Sequence, residues 1–206
     1  MSVKTKAILL IILLLLADQI SKFYIKMNFT LGEEVEVFSW FKIYFVENPG
    51  MAFGMEIVGK LILTLFRIVA VTILGIFIYR LIKRNARPGF ILAISLLLAG
   101  AAGNIVDSIF YGVIFSESTP MKAATLFPEG GGYAPLFYGK VVDMFFFPLI
   151  TNSTGETVFF RYIFNVADSC VTVSVITILL FFRKELNEAL ESKKDKAILH
   201  ENGLEE

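Results

Sequence analysis

The chain has 206 residues, of which 56% are hydrophobic and 18% are charged, and its mean hydropathy is +0.70. Soluble domains carry about 45–50% apolar and about 25% charged residues, so this composition is typical of a membrane protein. The formal net charge is zero, which gives no argument for a nucleic-acid partner. The single cysteine, Cys170, excludes an internal disulfide, and the single histidine, His200, lies in a polar tail. A zinc site, another cofactor site or a Ser-His-Asp triad is therefore not expected.

The first element, MSVKTKAILLIILLLLADQISK, has the basic start and apolar centre of a secretory signal peptide. A small-residue cleavage pattern does not follow the apolar run; Asp18, Gln19 and Lys22 follow it instead. We interpret this segment as a retained first membrane helix. A cleaved signal peptide is the weaker alternative.

Stretches long and apolar enough to cross a bilayer recur along the chain. They lie at about 7–26, 61–82, 88–109 and 160–182. Lysines and arginines precede the first stretch, join the second to the third and follow the last. The positive-inside rule therefore places both termini and the 83–87 turn in the cytoplasm. The sequence predicts an all-α membrane protein with four transmembrane helices.

The outer segments, 27–60 and 110–159, are longer than the cytoplasmic turn. In the first, VEVFSWFKIYFVEN alternates apolar with other residues, which predicts a small β-region at the non-cytoplasmic membrane surface. In the second, FPEGGGYAP is rich in glycine and proline and predicts a long loop on the same side. Residues 1–184 are thus expected to form one integral membrane domain, followed by a polar cytoplasmic tail over 185–206.

Polar residues of three predicted spans fall at a common depth. Counting 1.5 Å per residue from the cytoplasmic end places them about 18 to about 28 Å along each span, in the outer half of a core about 30 Å thick. These residues are Asp18, Asn104, Asp107, Asn165 and Asp168. Because a carboxylate in hydrocarbon is costly, such aspartates predict a functional cluster.

The spacing of these residues predicts that they share helix faces. The pairs three or four residues apart are Asp18 with Lys22, Asn104 with Asp107, and Asn165 with Asp168. Small residues in GAAGN (100–104) predict close approach of a neighbouring helix. In YGKVVDMFFFP, Asp143 lies beside an apolar run suited to the interface, so we expect Asp143 and Asp168 to meet at the membrane surface.

Five short boxes resemble, in order and spacing, the signature boxes of the bacterial lipoprotein signal peptidase family, the type II signal peptidases. They are DQISK (18–22), NPGMAFG (48–54), GNIVD (103–107), VVD (141–143) and FNVAD (164–168). The resemblance covers residue 18 to about 182. It implies an aspartic endopeptidase of the bacterial inner membrane, with its active site near the periplasmic face and no cofactor. Such an enzyme cleaves a diacylglyceryl-modified prolipoprotein just before the lipidated cysteine.

The resemblance also implies roles for individual residues. Asp143 and Asp168 map onto the catalytic pair of the family. Supporting or substrate-binding roles map onto a further set, which comprises Asp18, Lys22, Asn48, Gly50, Asn104, Asp107 and Asn165. The implied partners are prolipoproteins, membrane lipids and an inhibitor similar to the cyclic peptide globomycin.

One position departs from the family pattern. Many members have an arginine directly after the aspartate of the third box, whereas Ser108 follows Asp107 here. A guanidinium that would pair with nearby carboxylates is missing from that position. Arg67, about two turns into the second span from the outside, is a candidate replacement.

The residues alone leave other interpretations open. The Asp18–Lys22 pair would also serve as a structural ion pair, and Asn48 before Pro49-Gly50 is a turn signal in any case. A small proton-coupled transporter or channel is the main alternative, and a structural four-helix scaffold is another. A transporter predicts polar residues through the full depth, whereas the cytoplasmic halves of these spans are mostly Leu, Ile and Val. A scaffold does not need several carboxylates at one depth.

Overall fold

The computed structural model describes residues 1–50, 58–151 and 157–191. Part of the NPGMAFG box (51–54) and the end of the predicted tail (192–206) lie outside the described residues. Within them, the chain forms a helical bundle with a small antiparallel sheet at one end.

Long apolar helices make up the bundle. Those long and apolar enough to cross a membrane are α1 (Val3–Asn28), α2 (Val58–Lys83) and α3 (Pro88–Val106). The third helix continues through a π-helical segment, Asp107–Tyr111, into the short helix α4, Gly112–Ile114. The helical backbone therefore continues to Ile114, past the apolar stretch. The sequence predicted that the span ends at residue 109 and that the outer loop begins there.

The fourth predicted span, 160–182, is wrong at its beginning. Helix α5 covers only Val166–Phe181 and is followed, after a bend of 87°, by helix α6, Arg183–Glu191. These helices have the length and composition of a membrane span only when taken together as a bent pair. Residues before Val166 are extended because Asn165 caps the helix and the chain ahead of it pairs with a strand.

The outer segments contribute an antiparallel sheet. Its strands, in chain order, are β1 (Glu34–Phe38), β2 (Phe41–Asn48), β3 (Val141–Phe146) and β6 (Ile163–Phe164), and they are adjacent in that order. A separate two-stranded pair comprises β4 (Ile150–Thr151) and β5 (Thr157–Phe159). The β-region predicted in the first outer segment is confirmed. The second outer segment is not a simple loop, because part of it forms the third strand of the main sheet.

Strand register brings the second outer segment to the first. Val46 of β2 is opposite Asp143 of β3, and Asn48 is opposite Val141. On its other side β3 pairs with β6, with Phe145 opposite Phe164. The strand that carries Asp143 is therefore held between the end of β2 and the residues that lead into α5.

Helix α3 is the centre of the bundle and packs against α1, α2 and α5. Small residues make this possible: a Cβ added to Gly100 would lie 2.4 Å from the Ala167 carbonyl oxygen, and one added to Gly103 would lie 2.6 Å from Asp18 Oδ2. The close helix approach predicted from GAAGN is confirmed.

The bundle has apolar outer faces and apolar ends. Leu13, Phe66 and Leu180 are 63%, 68% and 69% exposed, as expected for helices that face lipid. We call the end of the bundle where α1 begins and α5 ends the inner end, and the end beside the sheet the outer end. One apolar cluster around Phe90 fills the inner end, and another around Tyr111 fills the outer end. The polar residues of α3 lie between them.

Candidate active site

Asp143 lies in the middle of β3 and is only 5% exposed. Its Oδ1 accepts a hydrogen bond from Asn165 Nδ2 at 2.6 Å, and its Oδ2 accepts one from Asn48 Nδ2 at 3.4 Å. Burial and then the neighbouring charge of Asp168 raise the pKa of Asp143 to about 7. This carboxyl is therefore poised to gain or lose a proton near neutral pH.

Asp168 lies in the first turn of α5 and is half-buried. Its Oδ1 accepts from Asn104 Nδ2 at 2.8 Å, and its Oδ2 accepts from the Asn165 backbone N–H at 3.3 Å. The Asn165 side chain in turn accepts from the Asp168 backbone N–H at 2.9 Å, which completes a capping box. The helix N-terminus favours the negative charge of this carboxylate.

Asn165 connects these carboxyl groups. Its Nδ2 lies 2.6 Å from Asp143 Oδ1, 3.1 Å from Asn104 Oδ1 and 3.2 Å from the Val142 carbonyl oxygen. The sequence predicted that Asn165 and Asp168 share a helix face, which is wrong, because Asn165 is the residue that caps the helix. As a cap it is fixed by the backbone of α5 and still faces β3.

Lys22 is the cation at the centre of the cluster and is fully buried. Its Nζ lies 3.0 Å from Asp18 Oδ2, 2.8 Å from Asp107 Oδ2 and 2.8 Å from Asn104 Oδ1. This one ammonium group therefore joins α1 to α3. The same contact orients the Asn104 amide, whose Nδ2 donates to Asp168.

Asp18 and Asp107 anchor the backbone around the site. Asp18 Oδ1 accepts from the Ala167 N–H at 2.9 Å, in the first turn of α5. Asp107 Oδ2 accepts from the Val142 N–H at 3.2 Å, next to Asp143 in β3. Each therefore holds the backbone beside one carboxyl of the candidate pair, and neither touches that carboxyl.

Asn48 forms the turn that the sequence predicted and also contacts Asp143. Its Oδ1 accepts from the Gly50 N–H at 2.8 Å, which forms the predicted turn, and its Nδ2 points to Asp143. Gly50 has φ +73°, a conformation that other residues seldom adopt, and a Cβ there would lie 3.5 Å from the Arg67 guanidinium. The turn therefore fits closely between β2 and α2.

Arg67 reaches the position at which the sequence lacks an arginine. Its Nη1 donates to Ser108 Oγ at 3.3 Å, and Ser108 Oγ donates to the Asn104 carbonyl oxygen at 2.9 Å. The guanidinium is half-buried on the side of α2 that faces α3.

Gln19 and Tyr111 belong to the site, although sequence reasoning did not single them out. Gln19 Nε2 donates to Asp107 Oδ1 at 2.9 Å and to Asp18 Oδ2 at 3.0 Å. Tyr111, which is fully buried, donates from Oη to Gln19 Oε1 at 3.1 Å. The position of Gln19 within DQISK was the only signal in the sequence.

A second buried ionic cluster, also missed, lies toward the outer end. Lys26 pairs with Glu47, donates to Ser118 Oγ at 3.0 Å and lies over the Tyr133 ring. Lys140 Nζ is 3.1 Å from Glu47 Oε2, close enough for an ion pair but without hydrogen-bond geometry. Burial opposes ionisation of Glu47, but Lys26, Lys140 and the Ser118 hydroxyl together outweigh it and lower the pKa of Glu47. The sequence feature that could have indicated this cluster is the spacing of four residues, which continues from Lys22 to Lys26 and puts both lysines on one face of α1.

A groove gives access to one side of the pair. A cavity of about 370 Å³ opens beside Asp168 and Ser169 and is lined mostly by apolar side chains, among them Phe160, Phe164 and Val173. Asp143 is covered, whereas Asp168 borders this space. An extended peptide or an acyl chain would fit such a groove better than a polar ligand.

Within the described part of the chain, the predicted site residues come together in one connected network. No group of three or more His, Cys, Asp or Glu side chains there is arranged to hold a metal ion. What the geometry supplies is a pair of carboxyl groups linked by amides, with a buried ammonium group behind them.

Comparison with known proteins identifies the family. A profile described as signal peptidase (SPase) II matches residues 10–183. The chain belongs to the signal peptidase II family. It is therefore a peptidase, and its long apolar helices make it a multi-pass membrane protein.

Relatives from several bacteria resemble this signal peptidase II family member over most of its length. The lipoprotein signal peptidase of Porphyromonas gingivalis is 48% identical over 198 residues, which cover 90% of this chain and 86% of the relative. That of Amoebophilus asiaticus is 32% identical and covers 87% of this chain and 78% of the relative.

A solved structure is also similar. A bacterial membrane enzyme determined by the in meso method at 1.9 Å resolution aligns with a TM-score of 0.60 and 27% identity, over 85% of this chain and 91% of that chain.

Proposed function

We propose that this protein is a membrane-embedded aspartic endopeptidase that removes the signal peptides of diacylglyceryl-modified prolipoproteins. It cleaves just before the lipidated cysteine, with Asp143 and Asp168 as the catalytic pair. The names of its relatives, which are lipoprotein signal peptidases, support the substrate class. The residues named below support the reaction type.

The observation that carries the proposal is the linkage of the two carboxyl groups through one amide residue. Asn165 donates to Asp143 from its side chain at 2.6 Å and to Asp168 from its backbone at 3.3 Å. The negative charge of Asp168 opposes ionisation of Asp143, so the pair retains one proton up to about neutral pH. The raised pKa of Asp143, about 7, agrees with that sharing.

A pair with one proton supplies both halves of peptide hydrolysis. The ionised carboxylate takes a proton from a water molecule as that water attacks the scissile carbonyl carbon. The protonated carboxyl donates a hydrogen bond to the carbonyl oxygen and then a proton to the leaving amine. Because the proton belongs to the pair, we assign neither role to Asp143 or to Asp168 alone.

The surroundings of the pair suit a lipid-modified peptide. The groove beside Asp168 is apolar and opens between α5 and the residues ahead of it, near the outer end of the bundle. The positive-inside rule supports a cytoplasmic inner end, so the reaction takes place near the periplasmic face of the bacterial inner membrane and both termini are cytoplasmic. A diacylglyceryl group anchored in the outer leaflet would then hold the scissile bond at the depth of the pair. We expect a globomycin-type cyclic peptide to compete for the same groove.

The rival interpretation, a proton-coupled transporter or channel, lacks support in the described residues. The inner end is filled by the apolar cluster around Phe90 and Ile94. The hydroxyls nearby are bonded to backbone carbonyls, with Ser95 donating to Ile91 and Ser174 to Ala93. A proton path across the full depth would need titratable groups there.

The test is cleavage of a purified, diacylglyceryl-modified prolipoprotein, followed by a gel shift, in the presence and absence of a metal chelator. Wild type and Glu34→Gln, a carboxyl-to-amide change on the exposed strand β1, are expected to cleave equally in both conditions. Asp143→Asn and Asp168→Asn are expected to be folded and inert.

Each other result counts against the proposal. Near-normal cleavage by either aspartate variant would remove that residue from the reaction. Loss of cleavage with chelator would point to a metal enzyme, and no cleavage by wild type would reopen the transporter interpretation. Thermal unfolding of each variant in detergent separates loss of chemistry from loss of fold.

A further inference from the structure

We propose that Arg67 is a positioning residue, whose guanidinium, held from α2 against Ser108, supplies a second cation that offsets part of the negative charge around the catalytic pair. The inference rests on the proposed aspartic mechanism, since it concerns how that pair carries its proton.

The carboxyl groups of the site outnumber its cations, and Arg67 reduces that excess of negative charge. The buried or half-buried carboxyl groups are those of Asp18, Asp107, Asp143 and Asp168. Lys22 is in ion-pair contact with Asp18 and Asp107. Within the described ranges, no lysine or arginine is in such contact with Asp143 or Asp168. A second positive charge nearby would therefore act mainly on the catalytic pair.

The position of Arg67 meets this requirement. Its guanidinium acts electrostatically on Asp168 most strongly, then on Asp107 and Asp143. Its hydrogen bond to Ser108 fixes the group beside α3, one turn beyond Asn104, and the side-chain amide of Asn104 donates to Asp168. Arg67 touches neither catalytic carboxyl, so it acts on them through its charge.

The other charged groups packed around the pair are accounted for by their own partners. On α1 and the π-helical segment, Lys22 pairs with both Asp18 and Asp107. On β2, Glu47 pairs with both Lys26 and Lys140. Lys60 lies two turns farther out on α2 and is buried. Lys22 also acts on Asp143 but is held between Asp18 and Asp107, whereas Arg67 acts most strongly on Asp168. Removal of Arg67 is therefore expected to change the charge at the Asp168 side of the pair.

The consequence is a shift in the pH dependence of cleavage. A nearby cation favours the ionised form of a carboxyl, so Arg67→Gln makes both protons of the pair harder to remove. The whole bell-shaped profile is then expected to move to higher pH, by about 1 unit, with about a tenfold loss of kcat/KM on the acid side. Arg67→Lys keeps the charge and is expected to keep most of the wild-type profile.

Variants at Ser108 separate charge from contact. Ser108→Ala removes the hydrogen bond but leaves the charge in the region, so its profile is expected to stay in place. Ser108→Arg, introduced into Arg67→Gln, returns a guanidinium from the π-helical segment instead of α2 and is expected to move the profile back. Arg80→Gln makes the same chemical change at the exposed inner end of α2 and serves as the matched control.

The outcomes decide the matter. A shift of the pH profile in Arg67→Gln that Ser108→Arg reverses supports the proposal. If Arg67→Gln cleaves at no pH, recovery of cleavage on adding Ser108→Arg also supports it. A wild-type profile in Arg67→Gln, or a loss of rate that neither Ser108→Arg nor Arg67→Lys restores, would show a packing role and overturn it. If Asp143→Asn also cleaves, the aspartic mechanism itself fails, whatever Arg67 does.

Discussion

Asn165→Asp is the change that tests the linkage between the two carboxyl groups most sharply. Aspartate has the size of asparagine and retains the oxygen that accepts from the Asp168 N–H at 2.9 Å, so the cap of α5 is kept. The exchange replaces Nδ2, the donor, by an acceptor. Asp143 Oδ1, Asn104 Oδ1 and the Val142 carbonyl oxygen, at 2.6, 3.1 and 3.2 Å, then face an oxygen without a hydrogen.

The magnitude follows from these contacts. Two N–H donors are lost in a buried place, and each unsatisfied partner costs about 1–3 kcal/mol, so we expect a loss of about 2–6 kcal/mol in the free energy of unfolding. A new negative charge beside Asp143 adds to this at neutral pH. In a chain of this size, a loss in that range lowers Tm by about 5–20 °C.

The assay measures cleavage rate and thermal unfolding in detergent over a range of pH. Asn165→Asp is expected to cleave at least about a hundredfold more slowly at neutral pH, because Asp143 loses its shortest contact. At acid pH the new carboxyl takes a proton and regains one donor, so part of the stability should return. Asn165→Ser, which keeps a capping hydroxyl but is too short to reach Asp143, serves as the uncharged control.

Wild-type rate and Tm in Asn165→Asp would refute the reasoning. Equal losses in Asn165→Asp and Asn165→Ser at every pH would show that only the size of the side chain matters, and the linkage would then lose its support.

Further changes test other parts of the structure. The folded-state pKa of Asp143 is raised to about 7, so Asp143 stabilises the fold at acid pH and this contribution is lost as the pH rises from about 4 through 7. Asp143→Asn should therefore unfold at a higher temperature than wild type at pH 8. Below about pH 5 the variant should lose that advantage. Lys26→Met leaves Glu47 buried beside fewer cations and should lower the free energy of unfolding by about 3 kcal/mol. In a double-mutant cycle, the same change made in a Glu47→Gln background should lower it by less. Gly103→Ala puts a Cβ 2.6 Å from a carboxylate oxygen and should reduce cleavage at least about tenfold, whereas Gly75→Ala, where nothing lies within 4 Å, should leave it unchanged.

The convergence of Asp18, Asn104 and Asp107 was predictable because it depends on helix geometry alone. A fixed rise per residue and a known direction for each helix bring their polar residues to one level. The close approach of a neighbouring helix to α3 was also predictable, because close packing of helices requires small residues such as those of GAAGN. The structure has all of these residues in one hydrogen-bonded network.

The start of α5 was not predictable from hydropathy. The run from Phe160 to Phe181 is mostly apolar, so its hydropathy does not mark where a strand ends and a helix begins. The local signal was the pair Asn165 and Asp168, which forms a capping box with its own backbone. That pair was interpreted only as a polar helix face.

The pairing of Lys26 with Glu47 shows a limit of a different kind. The two residues are distant in sequence and belong to a helix and a strand, so their contact depends on how the sheet sits on the bundle. The strand over Val141–Phe146 is similar, because β3 is defined by its pairing with β2 and β6 rather than by its own pattern. Contacts of this kind require the tertiary structure.

The most direct test of the account is the cleavage rate of a diacylglyceryl-modified prolipoprotein by wild type, Asp143→Asn, Asp168→Asn and the double variant. If the two carboxyl groups act as one unit, each single variant should lose nearly as much kcat/KM as the double variant. Losses that multiply, with measurable cleavage by each single variant, would show two independent residues and contradict the shared-proton mechanism.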